Sequence, residues 1–102
     1  LSKPLTPVRI WIWDGAYTAD SGLLGWFGGI PLKGFAVRRL KIHVDKDVKL
    51  TVAEYSLSLR VRQDEVSLRA GWNVVDLSQY DDIVAFKLGE NSTMLAEVVL
   101  EP

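Results

Sequence analysis

Apolar and polar residues alternate in short runs along most of the chain, and this alternation constrains the fold more than any other feature. Residues 8–13 read Val-Arg-Ile-Trp-Ile-Trp, and residues 39–44 read Arg-Leu-Lys-Ile-His-Val. No segment keeps an apolar period of 3.6 residues for three turns, so no long amphipathic helix is expected. Turn residues separate the runs. The pattern predicts an all-β, single-domain antiparallel β-sandwich of jelly-roll type with about eight strands.

The first seven residues are predicted to differ from the rest of the chain. Pro4 and Pro7 fix the backbone angle φ and lack N–H donors, so residues 1–7 are predicted to form an extended arm. Residues 8–102 are predicted to form the sandwich. The chain has 102 residues and no cysteine, and this length is sufficient for one hydrophobic core without disulfides.

Composition restricts the classes of partner. Twelve Lys and Arg residues oppose 13 Asp and Glu residues, which gives a net charge of −1. No global field therefore attracts nucleic acid or an anionic membrane, and neither is expected as a partner. Because 48% of the residues are hydrophobic, part of the apolar surface is expected to lie against another subunit or a ligand.

Residues 22–31 combine large apolar side chains with four glycines, reading Gly-Leu-Leu-Gly-Trp-Phe-Gly-Gly-Ile-Pro. Since glycine weakens a strand, residues 14–34 are predicted to form an apolar glycine-rich loop. The loop either covers the open end of the protein's own core or docks onto a partner. In the second interpretation, which we favour, the arm also takes part, and the partner-binding residues are Leu1, Leu5, Leu23, Leu24, Trp26, Phe27 and Ile30.

Aromatic residues suggest a different kind of site. Trp11 and Trp13 stand two apart on one predicted strand, so their rings are expected to project from the same side. Such a platform can stack against the apolar face of a sugar. The predicted sugar-binding residues are Trp11, Trp13, Tyr17 and Trp26. Alternatively, the rings fill the second side of a strand that is covered on both faces.

Catalytic, metal and cofactor sites are not predicted. The single histidine, His43, falls on the outward face of its strand, and no nucleophile-elbow or phosphate-loop motif is present. Asp45 and Asp47, like the group Asp76, Asp81 and Asp82, lack the spacing of a calcium-binding loop and are interpreted as turn residues.

The C-terminal third carries a family resemblance. Residues 71–78 read Gly-Trp-Asn-Val-Val-Asp-Leu-Ser, residues 80–83 read Tyr-Asp-Asp-Ile, and residues 96–100 read Ala-Glu-Val-Val-Leu. This region resembles the end of a galactose-binding-like (discoidin-type) jelly roll. The resemblance implies eight strands in two sheets, with ligands bound by loops at one end.

The phase of the apolar alternation changes once between residues 48 and 61. The apolar residues Val48, Leu50 and Val52 have one parity, whereas Leu57, Leu59 and Val61 have the other. Either a one-residue bulge or a tight reversal near residues 53–55 would explain the change of phase.

These observations predict a non-catalytic structural protein. The principal hypothesis is an assembly or decoration subunit, of a virion or an extracellular assembly, that binds itself or a larger protein assembly through the loop and the arm. The alternative is a carbohydrate-binding module that uses its Trp and Tyr rings as stacking platforms.

Overall fold

The structure, a computed structural model, describes residues 6–19 and 25–102. These residues form eight β-strands and no helix. The strands are β1 (Val8–Tyr17), β2 (Phe27–Pro31), β3 (Val37–Val44), β4 (Val48–Ser56), β5 (Leu59–Leu68), β6 (Gly71–Asp76), β7 (Ile83–Leu88) and β8 (Ser92–Glu101). Within the described residues, no helix is long and apolar enough to cross a membrane.

The strands form two antiparallel four-stranded sheets. The first sheet has the order β1-β8-β3-β6, and the second has the order β2-β7-β4-β5. The chain passes repeatedly between the sheets, and only the β4–β5 hairpin joins two sequential strands of one sheet. This order is that of a jelly roll. The predicted fold class, an eight-stranded antiparallel β-sandwich, is confirmed.

The core lies between the two sheets, where the predicted alternation places its apolar residues. Leu40, Ile42 and Val44 of β3 are fully buried, and Leu50 and Val52 of β4 are buried opposite them in the second sheet. Each side chain of this kind contributes roughly 1.5–3 kcal/mol when it is removed from water. Because one face of each sheet is buried in this core, only the outer face is available to contact a ligand or a partner.

The glycine-rich segment differs from its prediction. β1 continues to Tyr17, and Phe27–Pro31 forms the edge strand β2, so the predicted loop 14–34 is wrong at these residues. Gly28 and Gly29 have positive φ angles of 101° and 75°, and the pairing with β7 shifts between Gly28 and Ile30. Glycine does not exclude a strand here, because Gly28 and Gly29 permit a β-bulge within it.

A second bulge lies in β1. Trp11 pairs with Glu97 and Trp13 pairs with Ala96, so Ile12 is an extra residue between two consecutive partners on β8. A one-residue shift turns the following side chains to the other face. Trp13 packs against the core, while Trp11 is 56% exposed. The expectation that the two rings share one face is wrong for this reason.

The change of phase near residues 53–55 coincides with a third bulge. Glu54 pairs with Arg62 and Tyr55 pairs with Arg60, which leaves Val61 as the extra residue on β5. The chain reverses further along, at Leu57 and Ser58, whose φ angles of 51° and 66° are both positive. Two-residue hairpin turns of type I′ have this conformation.

Several sequence predictions lie outside the described residues. They concern Leu1 and Leu5 of the arm, and Leu23 and Leu24 of the glycine-rich segment.

Candidate functional site

A groove crosses the outer face of the first sheet. Strand pairing places Trp11, Glu97, Lys41 and Val74 side by side on the four adjacent strands. The groove has a volume of about 400 Å³ and is lined by Arg9, Trp11, Lys41, Trp72, Asn73, Val74 and Glu97. This volume lies in the range of small-molecule binding sites in proteins.

Two exposed tryptophans form the sides of the groove. Trp11 lies on the edge strand β1 and is 56% exposed, and Trp72 lies on the opposite edge strand β6 and is 58% exposed. Three strand spacings separate these edges, which corresponds to about 14 Å. Val74, 63% exposed, extends the apolar surface beside Trp72. Ring surface is therefore accessible on both sides of the groove.

A charged pair forms the floor. Glu97 projects from the central strand β8 and is only 2% exposed. Its two carboxylate oxygens accept bonds from the Arg9 guanidinium, with distances of 2.5 Å from Nε to Oε1 and 3.2 Å from Nη2 to Oε2. The Glu97 carboxylate raises the pKa of Arg9 through these hydrogen bonds and through its charge. The bidentate geometry fixes both side chains in one orientation.

Cross-strand neighbours on β3 complete the groove. Lys41 lies beside Glu97 on one side and Val74 on the other. His43 pairs with Trp72, and their ring centroids are 5.3 Å apart in an edge-to-face arrangement. Such contacts hold an aromatic ring upright on a sheet. The Asn73 amide, by contrast, is engaged in a local turn, since it donates to the carbonyl oxygens of Arg69 and Gly71.

The structure does not bring the four predicted sugar-binding residues together. Trp11 lies in the groove, but Trp13 is turned inward by the β1 bulge. Tyr17 is 2% exposed, and its hydroxyl donates to the Gly25 carbonyl at 2.6 Å and accepts from the Leu88 amide at 3.1 Å. Because Tyr17 is buried and hydrogen-bonded, its ring is not available for stacking.

Trp26 lies on the other side of the molecule. The Arg60 guanidinium is 5.1 Å from the centre of the Trp26 ring, and the Lys87 ammonium is 5.9 Å from it. Both cations belong to strands of the second sheet. Trp26 is therefore half-buried in a cation–π cluster that is separate from the groove.

Two of the predicted partner-binding residues lie in the core. Phe27 and Ile30 are each 7% exposed. The Phe27 ring packs against Trp13 and Phe86, with centroid distances of 5.8 Å and 5.7 Å. In this structure the protein's own core covers them, as in the alternative interpretation of the glycine-rich segment, and they present no surface to a partner.

Sequence reasoning missed most of the groove. No binding role was predicted for Arg9, Lys41, Trp72 or Glu97. A detectable signal existed for Glu97, which is the single charged residue in the otherwise apolar run Met94–Leu100. A carboxylate in such a run is expected to have a fixed partner, because an unpaired buried charge is costly.

Other surface features offer less to a ligand. A hollow of about 510 Å³ is lined by Asp47, Val48, Lys49, Ser67, Leu68, Arg69, Gly89 and Glu90. Although it is larger than the groove, these lining residues include no aromatic ring. Across residues 6–19 and 25–102, no cluster of three or more His, Asp or Glu side chains is placed to hold a metal ion.

Comparison with known proteins gives no information on the site. No family model, no curated protein and no solved structure matches this chain.

Proposed function

We propose that this protein is a carbohydrate-binding module whose binding site is the groove on the first sheet. The observation that carries the proposal is the pair of exposed tryptophans, Trp11 and Trp72, on opposite sides of the ion pair between buried Glu97 and exposed Arg9. An aromatic ring offers a flat apolar surface, and the charged pair offers fixed polar atoms. Sugars present the matching combination of apolar ring faces and peripheral hydroxyl groups.

The binding mode follows from the positions of these groups. One sugar stacks on Trp11 and another on Trp72, so the bound chain crosses the strands of the sheet. The Arg9 guanidinium, whose side chain is 65% exposed and held in place by Glu97, donates hydrogen bonds to hydroxyl oxygens through the N–H groups that Glu97 does not occupy. The Lys41 ammonium donates to hydroxyl oxygens over the middle of the groove. Because the groove spans about 14 Å between the edge strands, we expect binding to increase with chain length beyond a monosaccharide.

The rigidity of the floor supports selectivity. Glu97 lies on the central strand β8, between β1 and β3, and is held by two hydrogen bonds to Arg9. Polar atoms that are already oriented lose little conformational freedom when a ligand binds. A site of this kind is expected to reject sugars whose hydroxyl groups have the wrong orientation, since the oriented N–H groups of Arg9 would then lose water without gaining an acceptor.

The proposal is tested by titration calorimetry with a panel of tetrasaccharides: cellotetraose, chitotetraose, maltotetraose and mannotetraose. We expect at least one to bind, and Trp72→Ala to weaken that binding by about 30-fold, the effect of losing a 2 kcal/mol hot spot. Trp26→Ala is the matched control, because its ring lies outside the groove, and it should bind like the parent protein. Failure of all four sugars, or equal losses in both variants, would contradict the proposal.

The assembly hypothesis is a second candidate, favoured by one exposed element. Leu57, Leu59 and Val61 of the β4–β5 hairpin are 93%, 69% and 57% exposed. Exposed apolar residues grouped in this way are typical of protein contacts. If the protein is an assembly subunit, of a virion or an extracellular structure, the hairpin is a better docking element than Phe27 and Ile30.

A further inference from the structure

Strand β5 is an edge strand with unusual exposure. It pairs with β4 on one side only, and residues 59–63 are all exposed. β7 pairs with β4 as far as Tyr55, so only the Ser56–Leu59 pair and the turn extend beyond it. An unprotected edge offers backbone N–H and C=O groups to another strand.

The sequence of β5 differs from those of the other edge strands in containing neither glycine nor proline. The described residues form four edge strands, and β1, β2 and β6 each contain glycine, with Pro31 also present in β2. β5 contains neither glycine nor proline over Leu59–Leu68. Its one irregularity is the bulge at Val61. Among these edges, β5 is the best suited to strand addition.

The turn that precedes β5 places an apolar side chain at a costly position. Leu57 has a φ angle of 51° and is 93% exposed. Turns of this type favour Asn and Gly, since positive φ is strained for a residue with a larger side chain. The isolated chain gains no burial from Leu57 that would offset this strain, so a contact with another molecule is indicated.

The charges of β5 identify the kind of partner. The half near the turn carries Arg60 and Arg62, and the other half carries Asp64 and Glu65. In an antiparallel pair of two β5 strands, the basic half of one lies along the acidic half of the other. A parallel pair would oppose arginine to arginine, which is unfavourable.

The apolar residues agree with the same arrangement. A two-fold axis at Gln63, with the bulged Val61 of each copy left unpaired, places Arg62 of each copy opposite Asp64 of the other and Arg60 opposite Glu65. It also places Leu59 opposite Val66, which is only partly buried in the single chain. Charge pairing and apolar contact therefore select one register together.

We infer that β5 is a self-association surface, and that a second copy of this chain binds by antiparallel β5–β5 pairing about a two-fold axis. The two second sheets then become one continuous eight-stranded sheet. This contact lies on the sheet opposite the groove, so it is independent of carbohydrate binding and would present two grooves in one particle.

Sedimentation equilibrium over a concentration series tests this inference. The parent protein is expected to show a monomer–dimer equilibrium. Arg60→Glu and Glu65→Arg should each weaken self-association at least tenfold, because each opposes like charges twice across the axis. Lys46→Glu, an exposed charge reversal outside β5, should leave association unchanged, and circular dichroism checks that every variant is folded.

Mixing the two variants gives the decisive comparison. In an equimolar mixture of the Arg60→Glu and Glu65→Arg proteins, opposite charges face each other at both positions, so a heterodimer is expected although each variant alone is monomeric. A parent protein that stays monomeric at all concentrations would overturn the inference. So would a parent dimer that neither substitution weakens, or a mixture that does not associate.

Discussion

The exterior tryptophans of the two sheets differ in how far their rings are covered. On the first sheet, Trp11 and Trp72 are more than half exposed, and no cation covers either ring within the described part of the chain. Beside the second sheet, Trp26 is half-buried, with Arg60 and Lys87 near its ring. A ring whose face already contacts cations has less to gain from a ligand than an uncovered ring. The difference indicates which sheet presents a binding site.

The contrast between an exposed and a covered ring also occurs within one strand. Trp11 and Trp13 both belong to β1, but the bulge at Ile12 leaves Trp11 outside and turns Trp13 toward Tyr17, with ring centroids 5.4 Å apart. One residue of shift in the strand pairing therefore separates a candidate ligand contact from a core contact.

The largest expected effect concerns ligand binding. Replacing both exposed rings, as Trp11→Ala/Trp72→Ala, should weaken tetrasaccharide binding more than 100-fold, because each is expected to be a hot spot of about 2 kcal/mol. Calorimetry measures this loss, and the unfolding temperature should stay close to that of the parent. If the double variant binds normally, the contrast between the two faces has no functional meaning.

The next largest effect is on the free energy of unfolding, and it compares the two tryptophans of β1. Trp13→Ala should lower the free energy of unfolding by about 3 kcal/mol, because it opens a cavity beside the core. Trp11→Ala should lower it by less than about 1 kcal/mol, as is usual for exposed positions. Urea titration of both variants provides the measurement. Equal losses would show that the bulge does not separate their environments.

The β2 bulge gives a third comparison. At Gly28, an added Cβ would lie 2.9 Å from Phe86 Cδ2, and φ is positive. Gly28→Ala should therefore cost about 2–3 kcal/mol from strain and overpacking together. Gly29 also has positive φ, but nothing lies within 4 Å of its added Cβ, so Gly29→Ala should cost only about 1 kcal/mol. Thermal and urea unfolding compare the two, and the reverse order would contradict the bulge geometry.

The smallest effect tests a contact at the second sheet. The buried Tyr80 hydroxyl donates to Asp64 Oδ2 on β5 at 2.8 Å. Burial, followed by the hydrogen bond to Asp64, raises the pKa of Tyr80 to about 12 from 10.0. Since the raised pKa favours the protonated form in the folded state, the stability it contributes is fully present below pH 10. It is lost as the pH rises from 10 to 12, by about 2 kcal/mol.

Tyr80→Phe is the matched variant for this alkaline transition. It should be less stable than the parent at pH 7, because the bond to Asp64 is missing, but its stability should fall less between pH 10 and 12. Urea titration at several pH values measures both slopes. Parallel curves would show that Tyr80 does not titrate differently in the folded and unfolded states.

Alternation was enough to predict the fold class but not the face on which every residue lies. The inward set Leu40, Ile42 and Val44 follows directly from the period-2 pattern. The bulges near Ile12 and Gly29 were not predicted, because a bulge is set by the partner strand and leaves only a weak local signal. The bulge at Val61, opposite Glu54 and Tyr55, is one of the two alternatives that the change of phase near residues 53–55 indicated.

The candidate site was predictable only in part for the same reason. Trp11 was named as a sugar contact, but its true neighbours across the sheet belong to strands that are distant in sequence. Trp72 and Glu97 reach the groove through the jelly-roll order, which places β8 between β1 and β3 and β6 at the far edge. A residue pattern along one strand does not specify which strands lie beside it.

The indole N–H signals of the four tryptophans provide the most direct test of the binding site. We would titrate the ¹⁵N-labelled protein with the four tetrasaccharides and follow each indole signal, assigned by single Trp→Phe variants. The account predicts that the Trp11 and Trp72 signals shift together and saturate at one ligand concentration, while those of Trp13 and Trp26 stay in place. A shift confined to Trp26, or no shift with any sugar, would contradict it.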